Sequence, residues 1–243
     1  ALGGLVFVSL DGFLADLSWR FTFLIYGYAL LVLVLASLFL NEPERKAQAR
    51  SKDGKRLKAP LPAMAWVIYA IAFSGMILFY LVPVQIPFLL KQIGTQNNTL
   101  IGLAIGLVTV SAATASGLYR RIRTRVGPWQ ISIFTFLILA VGYSIVWLSH
   151  SFGGIALGIL VSGTGAGLVM PNSNVWLLSV ASEATRGAAV GGLTAAIFLG
   201  QFASPLLVAP MTGAGLSLNS VFGWAAIASL LLGGLCLLGW RRK

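Results

Sequence analysis

The chain has 243 residues, of which 58% are hydrophobic and 9% are charged, and its net charge is +11. About a quarter of the residues in a soluble domain are charged, so this composition excludes an ordinary soluble protein. The 17 cations are dispersed over separate segments without aromatic interleaving, which excludes a nucleic-acid partner. One histidine, six acidic residues and one cysteine leave no metal cluster and no intrachain disulfide, and we predict no cofactor.

Long uncharged blocks predict the membrane spans. A helix needs roughly 20 apolar residues to cross the hydrocarbon layer, so a block of about 50 holds two crossings. The polar residues around His150 and the stretch 212–220 divide the two longest blocks. With the apolar start, 1–10, the count is eight spans. The uncharged blocks are 21–40, 62–90, 92–119, 126–182 and 187–240.

The start of the chain is typical of the interior of a longer protein. It has no initiator Met, its first apolar stretch is about half a span long, and no basic segment precedes that stretch. We therefore expect a fragment, with functional parts upstream.

Positive charge alternates between the gaps and predicts the orientation. Seven cations lie in 41–61, four in 117–127, one at Arg186 and three at the end of the chain, whereas the other gaps hold only Arg20 and Lys91. Cations are retained on the cytoplasmic side of short loops. The pattern predicts a multi-pass membrane protein, in contact with the lipid bilayer, with a cytoplasmic C-terminus.

The segment 41–61 is the linker of the chain, with Pro43, Gly54 and Pro60 as breakers among its charges. It divides the sequence into 1–40, with two spans of which the first is incomplete, and 62–243, a bundle of six spans. The fold class is an all-α membrane protein, a polytopic helical bundle.

The spans contain many of the chain's 28 glycines, and small residues let helix backbones approach each other in lipid. Gly163 and Gly167 lie four apart on one face of the sixth span, and Gly187, Gly191 and Gly192 open the seventh. Close packing is the simplest interpretation, and a sliding interface is the alternative.

A basic loop is predicted at 117–127, between the fourth and fifth spans. Gly117 is suited to end a helix, Gly127 to turn the chain, and Pro128 to begin the next helix. The four guanidinium groups, of Arg120, Arg121, Arg123 and Arg125, can hold helix carbonyls, an acidic partner or a lipid phosphate, or act only as an orientation signal.

With this loop the chain resembles the major facilitator superfamily, whose two six-span halves each carry a glycine-and-arginine loop between their second and third spans. The resemblance implies a cytoplasmic gating loop formed by Gly117, Arg120, Arg121, Arg123, Arg125 and Gly127. The acid common in the first-half version is missing here, and Arg121 stands near its place.

The resemblance extends over the whole chain. The stretch 12–23 resembles the external turn between the fifth and sixth spans of the family, and 41–61 resembles its central loop, so the chain would cover spans five to twelve. Taken in order, 170–176, 183–187 and 198–205 resemble the bacterial drug and sugar efflux permeases. The resemblance implies that the protein lies in the plasma membrane, the inner membrane of a bacterial cell, and that the full-length protein is a monomer.

The seventh span carries a polar stripe. Thr194, Phe198, Gln201 and Ser204 or Pro205 recur at spacings of three and four. An unpaired amide in hydrocarbon is costly, so Gln201 should face the bundle interior or a water-filled cavity. A substrate contact and an interhelical hydrogen bond are both consistent with it.

The third span places Met76, Tyr80, Pro83 and Pro87 on one face, with Gln85 nearby. The prolines remove backbone hydrogen bonds, which favours either a bending outer gate or a fixed kink. In the sixth span, Pro171 with Asn172 and Asn174 predicts the same near the inner end, and Trp176 an interfacial anchor. The predicted substrate-binding residues are Tyr80, Gln85, Asn172, Phe198 and Gln201.

Acidic residues are few. Asp11 adjoins the first apolar stretch and is either a proton carrier or a solvated end residue. Asp16 and Arg20 are interpreted as an outer polar boundary, and Glu183 as the loop partner of Arg186. No nucleophile, base and orienting group occur together, so an enzyme is not expected.

We therefore predict a secondary transporter that exports a small organic or drug-like molecule in exchange for protons, by alternating access. The alternatives are a facilitator without proton coupling and a non-transporting scaffold or regulatory module.

Overall fold

The computed structural model describes residues 61–241, the helix Gly27–Phe39 and scattered residues between 10 and 23. All elements of that part of the chain are helical, as predicted. The helix Gly27–Phe39, here α1, lies in the second predicted span, and α2 to α7 correspond to the third to eighth. Their bounds are α2 Ala63–Gln92, α3 Asn98–Arg123, α4 Pro128–Leu148, α5 Phe152–Val180, α6 Arg186–Gly213 and α7 Leu218–Arg241.

The helices α2 to α7 are all long and apolar enough to cross a membrane. The divisions predicted within the two longest blocks are confirmed: α4 ends at Leu148, two residues before His150, and a short connection separates α6 from α7. Ser151 caps α5, because its side chain accepts a hydrogen bond from the Gly154 amide at 3.3 Å. The apolar start (1–9), Asp11, Asp16 and the linker up to Pro60 lie outside the described residues.

The six helices alternate in direction. The Tyr69 hydroxyl, near the start of α2, donates to the Ala189 carbonyl near the start of α6 at 2.8 Å. The Asn219 side chain, at the start of α7, donates to the Ser149 carbonyl just after α4 at 3.0 Å. The starts of α2, α4 and α6 therefore share one end of the bundle with the ends of α3, α5 and α7. We call it the basic end, because it carries 120–125, Arg186 and Arg241.

Contacts between neighbouring helices join all six into one bundle. The helix α4 lies between α5 and α7, while α5 also packs on α3 and α2, and α2 packs on α6. The helix α5 is the most buried of the six and α6 the least. The position of α6 at the edge leaves most of its surface open.

Glycines set the spacing between α5 and its neighbours, which confirms the close-packing interpretation. A Cβ at Gly163 would collide with the Ser111 side chain, and a Cβ at Gly167 would collide with the backbone of Ala112, both on α3. On another face of α5, a Cβ at Gly165 would lie 2.8 Å from the Thr135 carbonyl oxygen of α4. Helix α5 therefore approaches two neighbours at backbone distance.

The glycines at the start of α6 differ from that prediction. Gly192 does pack closely, since a Cβ there would lie 2.6 Å from the Tyr69 hydroxyl. Gly187 and Gly191 have nothing within 4 Å of such an atom. They lie on the open face of α6, so they set no helix spacing within the described bundle.

The proline in α5 has its compensating partner on α3. Pro171 lacks the N–H that would pair with the Gly167 carbonyl one turn earlier. The Ser116 hydroxyl donates to that carbonyl at 2.6 Å instead. The carbonyl that Pro171 leaves without a partner in α5 therefore forms a hydrogen bond to α3.

The predicted start of the basic loop at Gly117 is wrong. The helix α3 continues through Gly117 to Arg123, and only 124–127 form the turn. Arginine is a good helix former, and cations in a last turn interact favourably with the helix dipole, which outweighs the roughly 1 kcal/mol penalty of one glycine. Pro128 does begin α4, as predicted, and the Gly127 amide donates to Gln130 Oε1 at 2.8 Å.

Candidate functional site

The packing of α6 on α2, along the α2–α6 seam, sets the levels in the bundle of three of the predicted substrate-binding residues. Gly200 faces α2 so closely that a Cβ would lie 2.5 Å from the Phe73 carbonyl oxygen and 3.0 Å from Met76 Cβ. Since the two helices run in the same direction, Tyr80 and Gln201 come to about the same level, near the middle of the bundle. Phe198 lies one turn of α6 from Gln201 toward the basic end.

The polar stripe of α6 is largely open. Phe198 is 62% exposed, Thr194 is also exposed, and Gln201 and Pro205 are partly exposed. Ser204 departs from the stripe: it is 1% exposed, and its hydroxyl has no hydrogen-bond partner in the described part of the chain. The stripe therefore consists of Thr194, Phe198, Gln201 and Pro205.

Two glutamine side chains have no internal partner. Gln85 of α2 is 9% exposed and Gln201 is partly exposed, and within the described residues neither amide forms a hydrogen bond. A polar group at membrane depth is costly when it is unpaired. Both amides are thus free to bind a ligand or water.

Asn172 lies in a different environment, between α3, α4 and α5. It is 2% exposed, and its amide donates to the Pro128 carbonyl and to Ser132 Oγ, both at 3.0 Å. Its carbonyl accepts from the Tyr119 hydroxyl at 3.4 Å. Both N–H groups of the Asn172 amide are therefore engaged within the bundle. The residue is separated from the α2–α6 seam.

The arginines of the predicted gating loop are divided by burial. Arg120, Arg121 and Arg125 are exposed. Arg123 is half-buried: its guanidinium donates to the Val126 carbonyl at 3.4 Å, while its Nε is buried without a partner among the described residues. Together with Gly117, Arg120 and Arg121 border an open cavity of about 440 Å³.

Two further predictions at the basic end are wrong. Trp176 is 2% exposed and packs edge-on against Trp129, with ring centroids 4.9 Å apart, so it belongs to the core rather than to an interfacial belt. Glu183 and Arg186 are both exposed, and neither forms an ion pair in the described part of the chain. Solvent screening leaves exposed pairs little to gain.

The comparison with known families decides the class of protein. A family model described as Major Facilitator Superfamily matches residues 1–205, most of the chain. This chain belongs to the major facilitator superfamily. A search of curated proteins gave no match.

Membership makes this chain a transporter of the major facilitator type and a multi-pass membrane protein. The family match includes α2 to α5 and α6 up to Pro205. The α2–α6 seam therefore lies within the matched part, and α7 follows it.

Several interhelical contacts of this major facilitator protein escaped the sequence interpretation. Ser116, Tyr119 and Ser132 each bond to α5 or to its side chains, but they lie 40 to 53 positions from their partners. For Ser116 a signal existed, because Pro171 in a helix implies an orphan carbonyl at residue 167. For Tyr119 and Ser132 the sequence contains no such signal.

Proposed function

We propose that this protein exports a small organic or drug-like molecule in exchange for protons, through alternating access of a central site. The observation that supports the site is the pair of unpartnered amides, Gln85 and Gln201, on two helices that pack together. Tyr80 and Phe198 add aromatic surface on the same two helices. The saturated hydrogen bonds of Asn172 favour a role in helix packing instead.

The chemistry of this wall favours an amphipathic substrate. Apart from Lys91 and the cations at the basic end, α2 to α7 contain no charged residue. Aromatic faces bind apolar surface, and two amides can orient one or two polar groups. A highly charged molecule would have no counter-charge in this half of the site.

Family resemblance and charge distribution support the remaining parts of the proposal. The two bundles of such a carrier rock about the central site. The arginines at 120–125 would meet the other bundle at the basic end and act as an inner gate. That end faces the cytoplasm of a bacterial cell by the positive-inside rule.

Transport of a panel of labelled compounds in inside-out vesicles tests the substrate proposal. We compare the full-length protein with Gln201→Ala and with a matched control, Gln92→Ala, at the exposed end of α2. One lost hydrogen bond of about 1 kcal/mol predicts a rise of roughly fivefold in KM for Gln201→Ala only. An unchanged KM for Gln201→Ala would remove this residue from the site, and no transport of any compound by the wild type would favour a scaffold module.

Proton coupling is tested separately. The acids of this sequence lie outside α2 to α7, and Asp11 is the one that adjoins an apolar stretch. An imposed pH gradient should drive accumulation by the wild type, whereas Asp11→Asn should retain only downhill exchange. Transport by the wild type that only equilibrates the compound, with or without an imposed pH gradient, would leave a facilitator.

A further inference from the structure

A second cavity lies on the side of the bundle where α2, α4 and α7 meet. It is a groove of about 180 Å³, bordered by Val67 and Ser74 of α2, Trp129 and Phe136 of α4, and Leu235 and Cys236 of α7. Tyr80, Phe198, Gln201 and the arginines of 120–125 do not line it. The groove is therefore separate from both the candidate substrate site and the candidate gate.

The groove occupies one leaflet. Ser74 lies 11 residues after the start of α2 at Ala63, which is about 16 Å along a helix at 1.5 Å per residue. Leu235 lies six residues before the end of α7, about 9 Å from it. The hydrocarbon layer is about 30 Å thick, so the groove runs from the basic end to about the middle of the bilayer.

The walls suit a hydrocarbon chain. Apart from the Ser74 hydroxyl, the Cys236 thiol and the Trp129 indole, the side chains that line the groove are entirely apolar. Trp129 is 9% exposed, and within the described residues its Nε1 has no acceptor. Because the Nε1 atom is enclosed, the groove meets the other atoms of Trp129.

The charge around the mouth is positive. Arg241 is exposed at the end of α7, and the sequence continues with Arg242 and Lys243. Cations immediately outside a span attract anionic lipids by about 1 kcal/mol each. The groove thus combines an apolar channel about one leaflet deep with cations at the same end of the bundle.

We propose that this groove is a binding site for one acyl chain of an anionic phospholipid from the leaflet at the basic end. The chain fills the space between α2, α4 and α7. The headgroup lies at the basic end, where the cations that follow α7 attract it. The inference requires only insertion in a membrane and does not depend on the transported substrate.

Native mass spectrometry of the full-length protein tests the site. The protein is purified in detergent with equal amounts of phosphatidylglycerol and phosphatidylcholine that carry the same acyl chains. We expect the wild type to retain phosphatidylglycerol in at least about fivefold excess, and Arg241→Gln to lose about fivefold, since one cation contributes about a factor of five. Equal retention of the two lipids by the wild type would overturn the proposal.

A matched pair of variants locates the lipid. Leu235→Trp fills the groove, whereas Leu230→Trp makes the same exchange at a residue of α7 that is 52% exposed and does not line the groove. Only Leu235→Trp should lose the retained phosphatidylglycerol. Ala70→Phe approaches the groove from α2 and should behave in the same way, which protects the test against a folding defect in one variant. Equal retention by Leu235→Trp, Ala70→Phe and Leu230→Trp would place the lipid elsewhere.

Discussion

Amide side chains of the same chemistry have different roles in this protein because their surroundings differ. Asn172 is enclosed and bonded to two neighbouring helices, while Gln201 faces the open surface of α6 without a partner. The sequence predicts that each amide must find a partner, because an unpaired one is costly in hydrocarbon. Which partner it finds depends on contacts between residues 40 or more positions apart, and these cannot be deduced from local spacing.

We predict that Asn172→Ala destabilises the bundle. The substitution removes three hydrogen bonds and leaves the Pro128 carbonyl, the Ser132 hydroxyl and the Tyr119 hydroxyl without this partner. Interhelical hydrogen bonds in membrane proteins contribute about 0.6 kcal/mol each on average, so we expect a loss of roughly 2 kcal/mol. Thermal unfolding in detergent measures it.

Asn174→Ala is the control for that experiment. Its side chain bonds only to the Met170 carbonyl of its own helix, at 2.9 Å. The variant should unfold within a few tenths of a kcal/mol of the wild type, since Asn174 is only partly buried and its bond lies within its own helix. Equal destabilisation by the two variants would mean that the contacts between α4 and Asn172 contribute nothing.

At the scale of helices, the sequence predicts which helices exist better than it predicts where each helix ends. The polar break at His150 was located correctly because a span cannot continue through several polar residues. The end of α3 was placed six residues early, at Gly117, because a single glycine is a weak terminator when strong helix formers follow it. The same error placed Arg120, Arg121 and Arg123 in a loop, whereas they lie in the last turn of α3.

We predict energetic coupling between Ser116 and Pro171. Ser116→Ala removes the hydroxyl that satisfies the Gly167 carbonyl and should cost about 1 kcal/mol. In a Pro171→Ala background the restored N–H of residue 171 satisfies that carbonyl, so Ser116→Ala should cost almost nothing. A double-mutant cycle of unfolding free energies measures the difference.

Additivity in that cycle would contradict the assignment. If Ser116→Ala has the same effect with and without Pro171, the hydroxyl contributes through packing alone. Thr114→Ala is a control, because the Thr114 hydroxyl bonds to the Val110 carbonyl of its own helix at 2.9 Å and should show no coupling.

A pair of glycine substitutions tests the spacing of the helices. Gly167→Ala forces a methyl group against the backbone of Ala112, and overpacking of this kind costs about 1–3 kcal/mol. Gly187→Ala meets nothing within 4 Å and should be neutral or slightly stabilising, because alanine is the better helix former. Thermal unfolding of both variants distinguishes a close seam from a loose one; equal stabilities would mean that α3 and α5 separate without cost.

For the whole molecule, the physics of the bilayer made most of the architecture predictable. Span length and the alternation of charge determine the number and direction of α2 to α7, because lipid leaves a helix no other way to satisfy its backbone. The lateral order is different. That α4 would lie between α5 and α7, and that α2 would pack on α6, follows from glycine contacts such as Gly200 on Phe73, which only the folded chain reveals.

Orientation in the membrane is the last prediction and can be measured directly. Cys236 is 5% exposed, and Cys236→Ser removes the one cysteine of this sequence. In that background, His150→Cys places a thiol in the exposed turn between α4 and α5, and Thr124→Cys places one in the exposed turn at the basic end. An impermeant maleimide should label His150→Cys in intact cells and Thr124→Cys only after permeabilisation, because the basic end is retained in the cytoplasm. The reverse pattern would put the C-terminus outside and would show that the loop cations do not determine the orientation.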